Sequence, residues 1–202
     1  MNPLLEVKDV SLSYHSLSGE TAALSHISFQ LMPEEFLSIV GPSGCGKSSL
    51  LNLISGLLPA SQGRIMMNGT PLNDHNSRIG YMLQMDHLLE WRSIYRNVIL
   101  GLEIRQELTK ENLAYVEELL KLYDLDKFRD NRPSQLSGGM RQRAALIRTL
   151  ALKPDLLLLD EPFSALDYQT RLNVSDDIGK ILKKQKKPAI LVTHDISEAI
   201  SM

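Results

Sequence analysis

The sequence predicts an α/β fold: a mostly parallel sheet with an antiparallel β edge and an inserted α-helical subdomain. Three observations predict it. A glycine-rich loop at 41–46 separates a short apolar run from a segment with helical spacing. Four consecutive leucines at 156–159 lead into two carboxylates, as expected where a buried strand ends at the edge of a sheet. Between these two features, from about 93 to 152, apolar residues recur with the period of a helix.

The remaining elements follow from local spacing in chain order. Apolar and polar residues alternate at 4–10 and 23–31, which indicates strands with one solvated face. Short apolar runs predict further strands at 36–40, 64–68, 78–83, 156–160 and 189–193. Helices are predicted at 47–56, 140–152 and 170–184. We therefore expect one domain over 1–202, with the helical insert at approximately 85–152.

Bulk properties limit the possible functions. With 202 residues the chain can bury one sizeable core, and a net charge of −2 gives no electrostatic reason to expect nucleic-acid binding. No apolar stretch approaches the roughly 20 residues needed to span a bilayer, and the first residues do not resemble a signal peptide. The single cysteine excludes an intrachain disulfide and fits a reducing compartment. We expect a cytoplasmic protein.

The glycine-rich loop predicts a phosphate-binding site. Its glycines allow a tight turn whose successive N–H groups converge on one point, and the following helix adds the positive end of its dipole. Lys47 offers a positive charge to the β- and γ-phosphates, and Ser48 offers a hydroxyl ligand to Mg²⁺. The predicted nucleotide-binding residues of this loop are Gly41, Pro42, Ser43, Gly44, Cys45, Gly46, Lys47, Ser48 and Ser49.

Two acidic residues, Asp160 and Glu161, end the leucine run. Adjacent residues of a strand point to opposite sides of the backbone, so the two carboxylates reach different targets. One can address a metal ion while the other addresses an attacking water molecule. This pattern predicts hydrolysis of the bound nucleotide.

A second anion site is predicted at 136–140, where the sequence is Leu-Ser-Gly-Gly-Met. Ser137 precedes two glycines and a helical run, which is the pattern of a helix N-cap. The exposed N–H groups of Gly138, Gly139 and Met140, together with the Ser137 hydroxyl, are suited to an anion. This site is far from Lys47 along the chain.

The phosphate loop, the run at 136–140 and the strand ending at 160–161 resemble, in this order, the ATP-binding subunit of an ABC transporter. The resemblance extends over essentially the whole chain. It implies the P-loop NTPase (RecA-like) fold, binding of ATP and Mg²⁺, and ATP hydrolysis. Met140 stands where glutamine is commoner in the family, and methionine there is similar to the nitrate, sulfonate and taurine importer branch.

The resemblance implies roles for the polar residues at the strand ends. In the family the first carboxylate supports Mg²⁺, usually through water, and the second is the general base, which implies these roles for Asp160 and Glu161. Gln84 matches a glutamine that reaches toward Mg²⁺ and water, and His194 matches a histidine that contacts the γ-phosphate. The implied catalytic residues are thus Glu161, His194 and Gln84, and the implied metal residues are Ser48, Gln84 and Asp160.

The resemblance also implies a dimer. In the family the turn that matches 137–140 binds the γ-phosphate of ATP held by the other subunit, so two copies enclose two ATP molecules head to tail. Asp167, in the run at 164–167, matches an aspartate that crosses this interface toward the nucleotide. Tyr14 matches an aromatic residue that stacks on adenine, and simple packing is the alternative for it.

In the importer branch the segment after Gln84 receives a short helix of the transmembrane permease subunits. Leu88, Leu89 and Trp91 are candidates for the apolar floor of that groove, and the alternative is that all three belong to the core. The resemblance therefore implies permease subunits as partners, a substrate-binding protein acting indirectly, and a location on the inner face of the cell membrane.

Two alternatives and one departure complete the sequence-based reading. ABC-type ATPases of DNA repair are excluded, because the interval between Lys47 and Ser137 has no room for their long coiled coil. An ABC-type ATPase with a regulatory role outside transport remains the alternative function. Relatives continue well beyond the histidine that His194 matches, so we expect the C-terminal part of the family domain to be missing. The branch implies a small solute such as nitrate, a sulfonate or taurine.

Overall fold

The computed structural model describes residues 2–16, 19–72, 79–164, 166–184 and 186–201. Arg78, with which one predicted strand begins, and Ala165 of the run at 164–167 lie outside the described residues. The strands are β1 (Leu5–Ser16), β2 (Gly19–Leu31), β3 (Phe36–Val40), β4 (Gln62–Met67), β5 (Thr70–Pro71), β6 (Ile79–Met82), β7 (Leu156–Asp160) and β8 (Ala189–Thr193). The α-helices are α1 (Lys47–Ile54), α2 (Ile94–Val98), α3 (Leu100–Ile104), α4 (Lys110–Leu122), α5 (Gly138–Leu150), α6 (Tyr168–Lys184) and α7 (Ile196–Ser201).

The antiparallel strands form a four-stranded sheet of their own, in the order β2-β1-β4-β5. Strands β1 and β2 pair from Leu5 opposite Leu31 to Ser16 opposite Gly19. Both are longer than the alternating patterns predict, because several register shifts let the pairing continue where the alternation breaks. The antiparallel part of the fold is thus a second layer rather than a few strands added to the main sheet.

The parallel strands form the second sheet, in the order β3-β8-β7-β6. Every residue of β7 and β8 is buried, as expected for strands covered on both faces. The observed bounds of both strands agree with those predicted. Since the carboxyl ends of parallel strands meet at one edge, the loops that follow β3, β6, β7 and β8 converge there.

The leucine run divides its side chains between two hydrophobic cores. Leu157 and Leu159 belong to the larger core, which includes residues of α2, α4, α5 and α6. Leu156 and Leu158 belong to the second core, which includes residues of α1 and of the antiparallel sheet. Successive residues of a strand point to opposite faces, so β7 anchors both layers and holds its carboxyl end rigidly.

Helices α2 to α5 lie between β6 and β7 in the chain, within the range predicted for the helical insert. Hydroxyl side chains cap several of them; the Thr109 hydroxyl, for example, accepts a hydrogen bond from the N–H of Asn112 at 3.1 Å at the start of α4. Whether these helices form a separate subdomain stays a prediction. Across the described ranges, none of the helices combines the length and the apolar character needed to cross a membrane.

Candidate active site

An open cavity of about 580 Å³ lies at the carboxyl edge of the parallel sheet, against the antiparallel sheet. Residues from β1, β2, the glycine loop, the start of α1 and the ends of β6 and β7 enclose it. The lining residues are Tyr14, Thr21, Ala22, Ala23, Ser43, Gly44, Cys45, Gly46, Lys47, Ser48, Ser49, Gln84 and Glu161. The cavity therefore unites residues that are far apart in the sequence.

Position 46 of the glycine-rich loop requires glycine for two physical reasons. Its φ angle of 96° lies in the left-handed region, which side chains rarely adopt. A Cβ atom at this position would also lie 2.6 Å from the carbonyl oxygen of Ala23. Gly46 is the residue before α1, so this close approach fixes the start of the helix against β2.

Lys47 brings a buried positive charge to the loop. Its side chain is almost fully buried, and the residue is 7% exposed. The ammonium donates hydrogen bonds to the carbonyl oxygens of Gly41 and Pro42, both at 2.9 Å. It also lies 3.4 Å from Oε1 of Glu161. These contacts hold the cation at the loop while leaving a charge that an anion such as a phosphate can neutralise.

The two carboxylates at the end of β7 do reach different targets. Asp160 accepts a hydrogen bond from the Ser48 hydroxyl at 3.0 Å, and the Tyr81 hydroxyl lies 3.2 Å from its other oxygen. Glu161 contacts Lys47 on one side and Nδ1 of His194, at 3.0 Å, on the other. The chain turns sharply between them, because Glu161 has a φ angle of 42°.

The Glu161 carboxylate contacts two further predicted site residues, His194 and Gln84. Its Oε2 atom is shared by Nδ1 of His194 at 3.0 Å and Nε2 of Gln84 at 3.5 Å. The backbone N–H of Glu161 donates to the carbonyl oxygen of Val192 at 2.8 Å, which ties the end of β7 to β8. A water molecule beside Glu161 would thus face a carboxylate whose position is fixed by the sheet.

Burial is the largest influence on the pKa of Asp160, the carboxylate predicted to support the metal ion. Desolvation raises the pKa of Asp160, while the hydrogen bonds from Ser48 and Tyr81 and the charge of Lys47 act in the opposite direction. Burial and the Asp160 charge raise the pKa of Tyr81, so its hydroxyl remains a donor. A divalent cation at the Ser48 and Asp160 oxygens would favour the carboxylate form, and such hard oxygen ligands suit Mg²⁺.

The turn at 137–140 is a capped helix start outside this cavity. Ser137 precedes α5, and its hydroxyl accepts a hydrogen bond from the N–H of Met140 at 3.4 Å, as the sequence predicts for an N-cap. A Cβ atom at Gly139 would lie 3.0 Å from a methyl group of Val174 in α6. The turn is therefore packed against α6, and none of its residues lines the cavity.

Asp167 lies near this turn rather than at the cavity. Its carboxylate accepts a hydrogen bond from the N–H of Thr170 at 3.1 Å and so caps the start of α6. Hydrogen bonding to the Thr170 side chain, followed by this contact with its backbone N–H, holds the pKa of Asp167 below its usual range. Leu166, the residue before it, meets the N-terminal turn of α5: a Cβ atom at Gly138 would lie 2.9 Å from its side chain.

The sequence did not reveal every residue of the site. Tyr81 was part of a predicted strand only, and the contribution of Thr21, Ala22 and Ala23 to the cavity was missed. Tyr81 carried a usable signal, because a tyrosine hydroxyl in a buried parallel strand needs a hydrogen-bond partner. The approach of β2 to the loop had no such signal, since it depends on how two sheets pack.

The segment after Gln84 is divided between core and surface. Leu88 is 8% exposed and belongs to the larger core, and Leu89 is half-buried. Trp91 is 73% exposed, and Met85 is also exposed. The expectation that Leu88, Leu89 and Trp91 form one apolar surface is therefore wrong for Leu88, because its side chain is buried in the larger core.

Binding of phosphate by backbone N–H groups beside a buried lysine is characteristic of P-loop nucleotide-hydrolysing proteins, and the fold and site define that class. The family model described as ABC transporter matches residues 24–164. The chain belongs to the ABC transporter family, and it is an ABC-type ATPase that binds ATP.

Particular relatives support this assignment over nearly the whole chain. The uncharacterized ABC transporter ATP-binding protein YtlC of Bacillus subtilis (strain 168) is 50% identical over 198 residues, covering 98% of this chain and 76% of that protein. The taurine import ATP-binding protein TauB of Pseudomonas putida is 43% identical over 197 residues, covering 98% of this chain and 74% of that protein.

Solved structures agree with the fold. The dimeric post-hydrolysis state of the ATP-binding cassette MJ0796 bound to ADP and Pi matches with a TM-score of 0.82 and 31% identity, covering 98% of this chain and 90% of that chain. The structure of cbiO1 from Clostridium perfringens, part of the ABC transporter complex cbiONQ, matches with a TM-score of 0.84 and 27% identity. The match covers 97% of this chain and 80% of that chain.

Proposed function

We propose that this ATPase energises an importer for a small solute, with taurine, other sulfonates and nitrate as the candidate class. The observation that carries the catalytic part is the Glu161 carboxylate, held at the nucleotide cavity between Lys47 and His194. The relatives described as taurine import proteins support the import part.

ATP fits the cavity with its phosphates on the glycine loop and its base toward β1. The N–H groups at the start of α1 and the Lys47 ammonium supply the anion-binding groups. Tyr14 is 44% exposed at the cavity wall, and its hydroxyl lies 3.0 Å from the Ser49 hydroxyl, which restrains the ring. Stacking of a base on such a ring contributes about 1–3 kcal/mol.

Hydrolysis requires a base that accepts the proton of the attacking water. We assign this role to Glu161. Its Oε1 atom lies 3.4 Å from the Lys47 ammonium. A phosphate on the loop is a further anionic partner for Lys47, so the same cation can hold the nucleotide close to the Glu161 carboxylate. His194 and Gln84, which share Oε2, then orient the carboxylate and contact the γ-phosphate and the water.

The residues that would hold Mg²⁺ are Ser48, Asp160 and Gln84. The first two already face each other, with 3.0 Å between the hydroxyl and carboxylate oxygens. When bound, Mg²⁺ neutralises charge on the phosphates. Asp160 supports the ion best through water, since its other oxygen is engaged by Tyr81.

Turnover requires a second copy of the chain in this proposal. The turn at 137–140 offers N–H groups and a hydroxyl but lies outside the cavity, so its anion must come from elsewhere. A head-to-tail dimer supplies it as the γ-phosphate on the partner's loop, and Asp167 lies beside this interface. The dimeric solved relatives support the arrangement.

Transmembrane permease subunits are the second class of partner. The exposed Met85 and Trp91 follow Gln84 closely, so a permease segment seated on them would sense the nucleotide site. This contact holds the ATPase on the inner face of the membrane, and a substrate-binding protein acts through the permease. The regulatory alternative is less well supported, because the three implied catalytic residues Glu161, His194 and Gln84 are all present and in contact.

The catalytic proposal is tested with Glu161→Gln. We expect the turnover number for Mg-ATP to fall by about 10²- to 10⁴-fold, because amide nitrogen and oxygen cannot accept the proton. Nucleotide affinity remains, so light scattering shows the mass doubling when Mg-ATP is added. Glu118→Gln, an exposed glutamate of α4, is the matched control and behaves as the parent.

Two outcomes would overturn this proposal. Glu161→Gln that still turns over ATP within tenfold of the parent excludes Glu161 as the base. A variant that binds ATP but stays monomeric at every protein concentration excludes the dimer. The solute class is tested in liposomes that contain the ATPase, its permease and the binding protein: taurine, an alkanesulfonate or nitrate should stimulate ATP hydrolysis, and stimulation by none of them contradicts the assignment.

A further inference from the structure

Two arginines of α5, Arg141 and Arg148, donate hydrogen bonds to residues 86–87, which follow Gln84. Both NH groups of Arg148 donate to backbone carbonyls, at 2.6 Å to Asp86 and 2.7 Å to His87. Arg141 lies seven residues earlier, two turns along the same face of the helix. Its Nε donates to the Asp86 carboxylate at 3.2 Å. The two side chains thus engage the backbone and the side chain of the same short loop.

The loop is built to accept these contacts. Asp86 uses its other carboxylate oxygen to accept the N–H of Leu88 at 3.0 Å, which closes a local turn. His87 has a φ angle of 46°, a left-handed conformation that turns the peptide sharply. This turn directs two successive carbonyls, those of Asp86 and His87, toward Arg148. The buried side chain of Leu88 then anchors the loop in the larger core.

Both arginines are half-buried and make several hydrogen bonds. Burial lowers the pKa of Arg148 and the charge of Asp86 acts against that effect, while a guanidinium stays protonated in either case. Arg141 also donates to the carbonyl of Leu136 at 2.8 Å, the residue before the helix cap. Charge-assisted hydrogen bonds in a partly buried setting are among the strong ones in proteins.

These contacts connect the segment after Gln84, at the nucleotide cavity, to the helix that begins at the Ser137 turn. Gln84 lies two residues before Asp86 and reaches this chain's own nucleotide cavity. Ser137 caps the other end of α5 and, under the proposed function, faces the nucleotide of the second copy. A single helix turns as one body, so a shift of the loop at 86–87 moves the Ser137 turn with it.

We propose that Arg141 and Arg148 are positioning residues that couple ATP binding in one site to the Ser137 turn of the other. The inference rests on the proposed function, since it requires the ATP-dependent dimer. Arg143 on the same helix provides a matched comparison, because it pairs instead with Asp177 of α6 at 3.1 Å. Its removal disturbs the helix surface but not the loop after Gln84.

The test uses two readouts in the Glu161→Gln background, which retains ATP. Trp91 is the sole tryptophan of the chain and lies four residues after His87, so its fluorescence reports movement of the segment that contains the loop at 86–87. Light scattering reports dimerisation through the Ser137 turn. In the parent we expect both signals to change over the same range of Mg-ATP concentration.

Arg148→Lys keeps the charge and the side-chain stem but loses the paired donors. We expect Trp91 to respond at the parent's ATP concentration, while dimerisation shifts to at least tenfold higher ATP. Arg143→Ala changes neither signal by more than about twofold. Asp86→Ala removes the Arg141 contact from the loop side and shifts dimerisation in the same direction. Thermal unfolding and ATP binding of each variant verify that it is folded.

Each contrary result has a definite meaning. Dimerisation of Arg148→Lys and Asp86→Ala at the same ATP concentration as Arg143→Ala overturns the coupling. A parent in which Trp91 does not respond to ATP also overturns it, because the loop then does not move. A parent that binds ATP without forming a dimer defeats the proposed function itself, and the coupling falls with it.

Discussion

The two predicted anion sites of this chain are both helix starts preceded by glycine-rich or polar turns, yet they differ in what surrounds them. The start of α1 has a buried lysine, a hydroxyl and two carboxylates within reach, in a cavity of about 580 Å³. The start of α5 has a serine cap, whose hydroxyl accepts the N–H of Met140, and the adjacent Gly139 is buried. No residue of the turn at 137–140 lines that cavity.

These different surroundings indicate which of the two predicted sites can bind a nucleotide without a second copy of the chain. Partial charges at a helix start contribute only about 0.3–1 kcal/mol at an exposed position, whereas a buried cation binds phosphate strongly. The first site can therefore hold a nucleotide within one chain. The second can only add to a phosphate that is already held, which is the physical reason to expect two copies in the working state.

Among substitutions that affect nucleotide binding, we expect removal of the Lys47 cation at the first site to weaken the affinity most. Lys47→Ala should weaken ATP binding by about 10- to 150-fold, because a charge-assisted contact worth about 1.5–3 kcal/mol is lost. Isothermal titration with ATP measures it. Lys153→Ala, which removes a surface lysine paired with Glu111, serves as the control and should bind as the parent does. Equal affinities in the two variants would contradict the comparison.

A smaller effect is expected at the base end of the cavity. Tyr14→Ala should weaken binding of ATP and ADP alike by about tenfold, since the stacking surface is lost at a partly exposed position. Tyr14→Phe keeps the ring and loses only the contact with Ser49, so its affinity should stay within about threefold of the parent. If both substitutions weaken binding equally, the ring does not stack and the hydroxyl carries the effect.

Removal of the Ser137 hydroxyl should distinguish the second site from the first, with a weaker effect than the two substitutions above. Ser137→Ala should leave ATP binding by the monomer unchanged, while weakening ATP-dependent dimerisation in the Glu161→Gln background by about fivefold. Loss of the cap also costs about 1 kcal/mol in the free energy of unfolding, measurable by urea titration. Ser134→Ala, an exposed serine before the cap, is the control. Weaker ATP binding by the Ser137→Ala monomer would show that the two sites are not separate.

Local features were predictable because a few neighbouring residues determine them. The alternation of Leu156–Asp160 between two cores follows from the period of a strand, and its bounds were predicted correctly. The Ser137 cap follows from a hydroxyl before two glycines and a helical run. The convergence of Gln84, Glu161 and His194 follows once parallel strands are assumed, since their carboxyl ends meet at one edge.

Other features depended on resemblance or were missed. The dimer and the roles of Asp167 and Tyr14 came from the family pattern, and they stay predictions for this chain. Leu88 and Trp91 lie three residues apart in one apolar segment, but one is in the core and the other is exposed. Nothing in their local spacing separates them, because the choice depends on which neighbours the larger core supplies.

Short runs of residues encode the phosphate loop, the buried strand with its two carboxylates and the capped start of α5. Packing in three dimensions establishes that Tyr81 contacts Asp160, that Ala23 limits the space at Gly46 and that Arg148 holds the loop after Gln84. These contacts join residues distant in the chain. They depend on the order of the strands and on the packing of the helices, which many weak burial contributions fix together rather than any single motif.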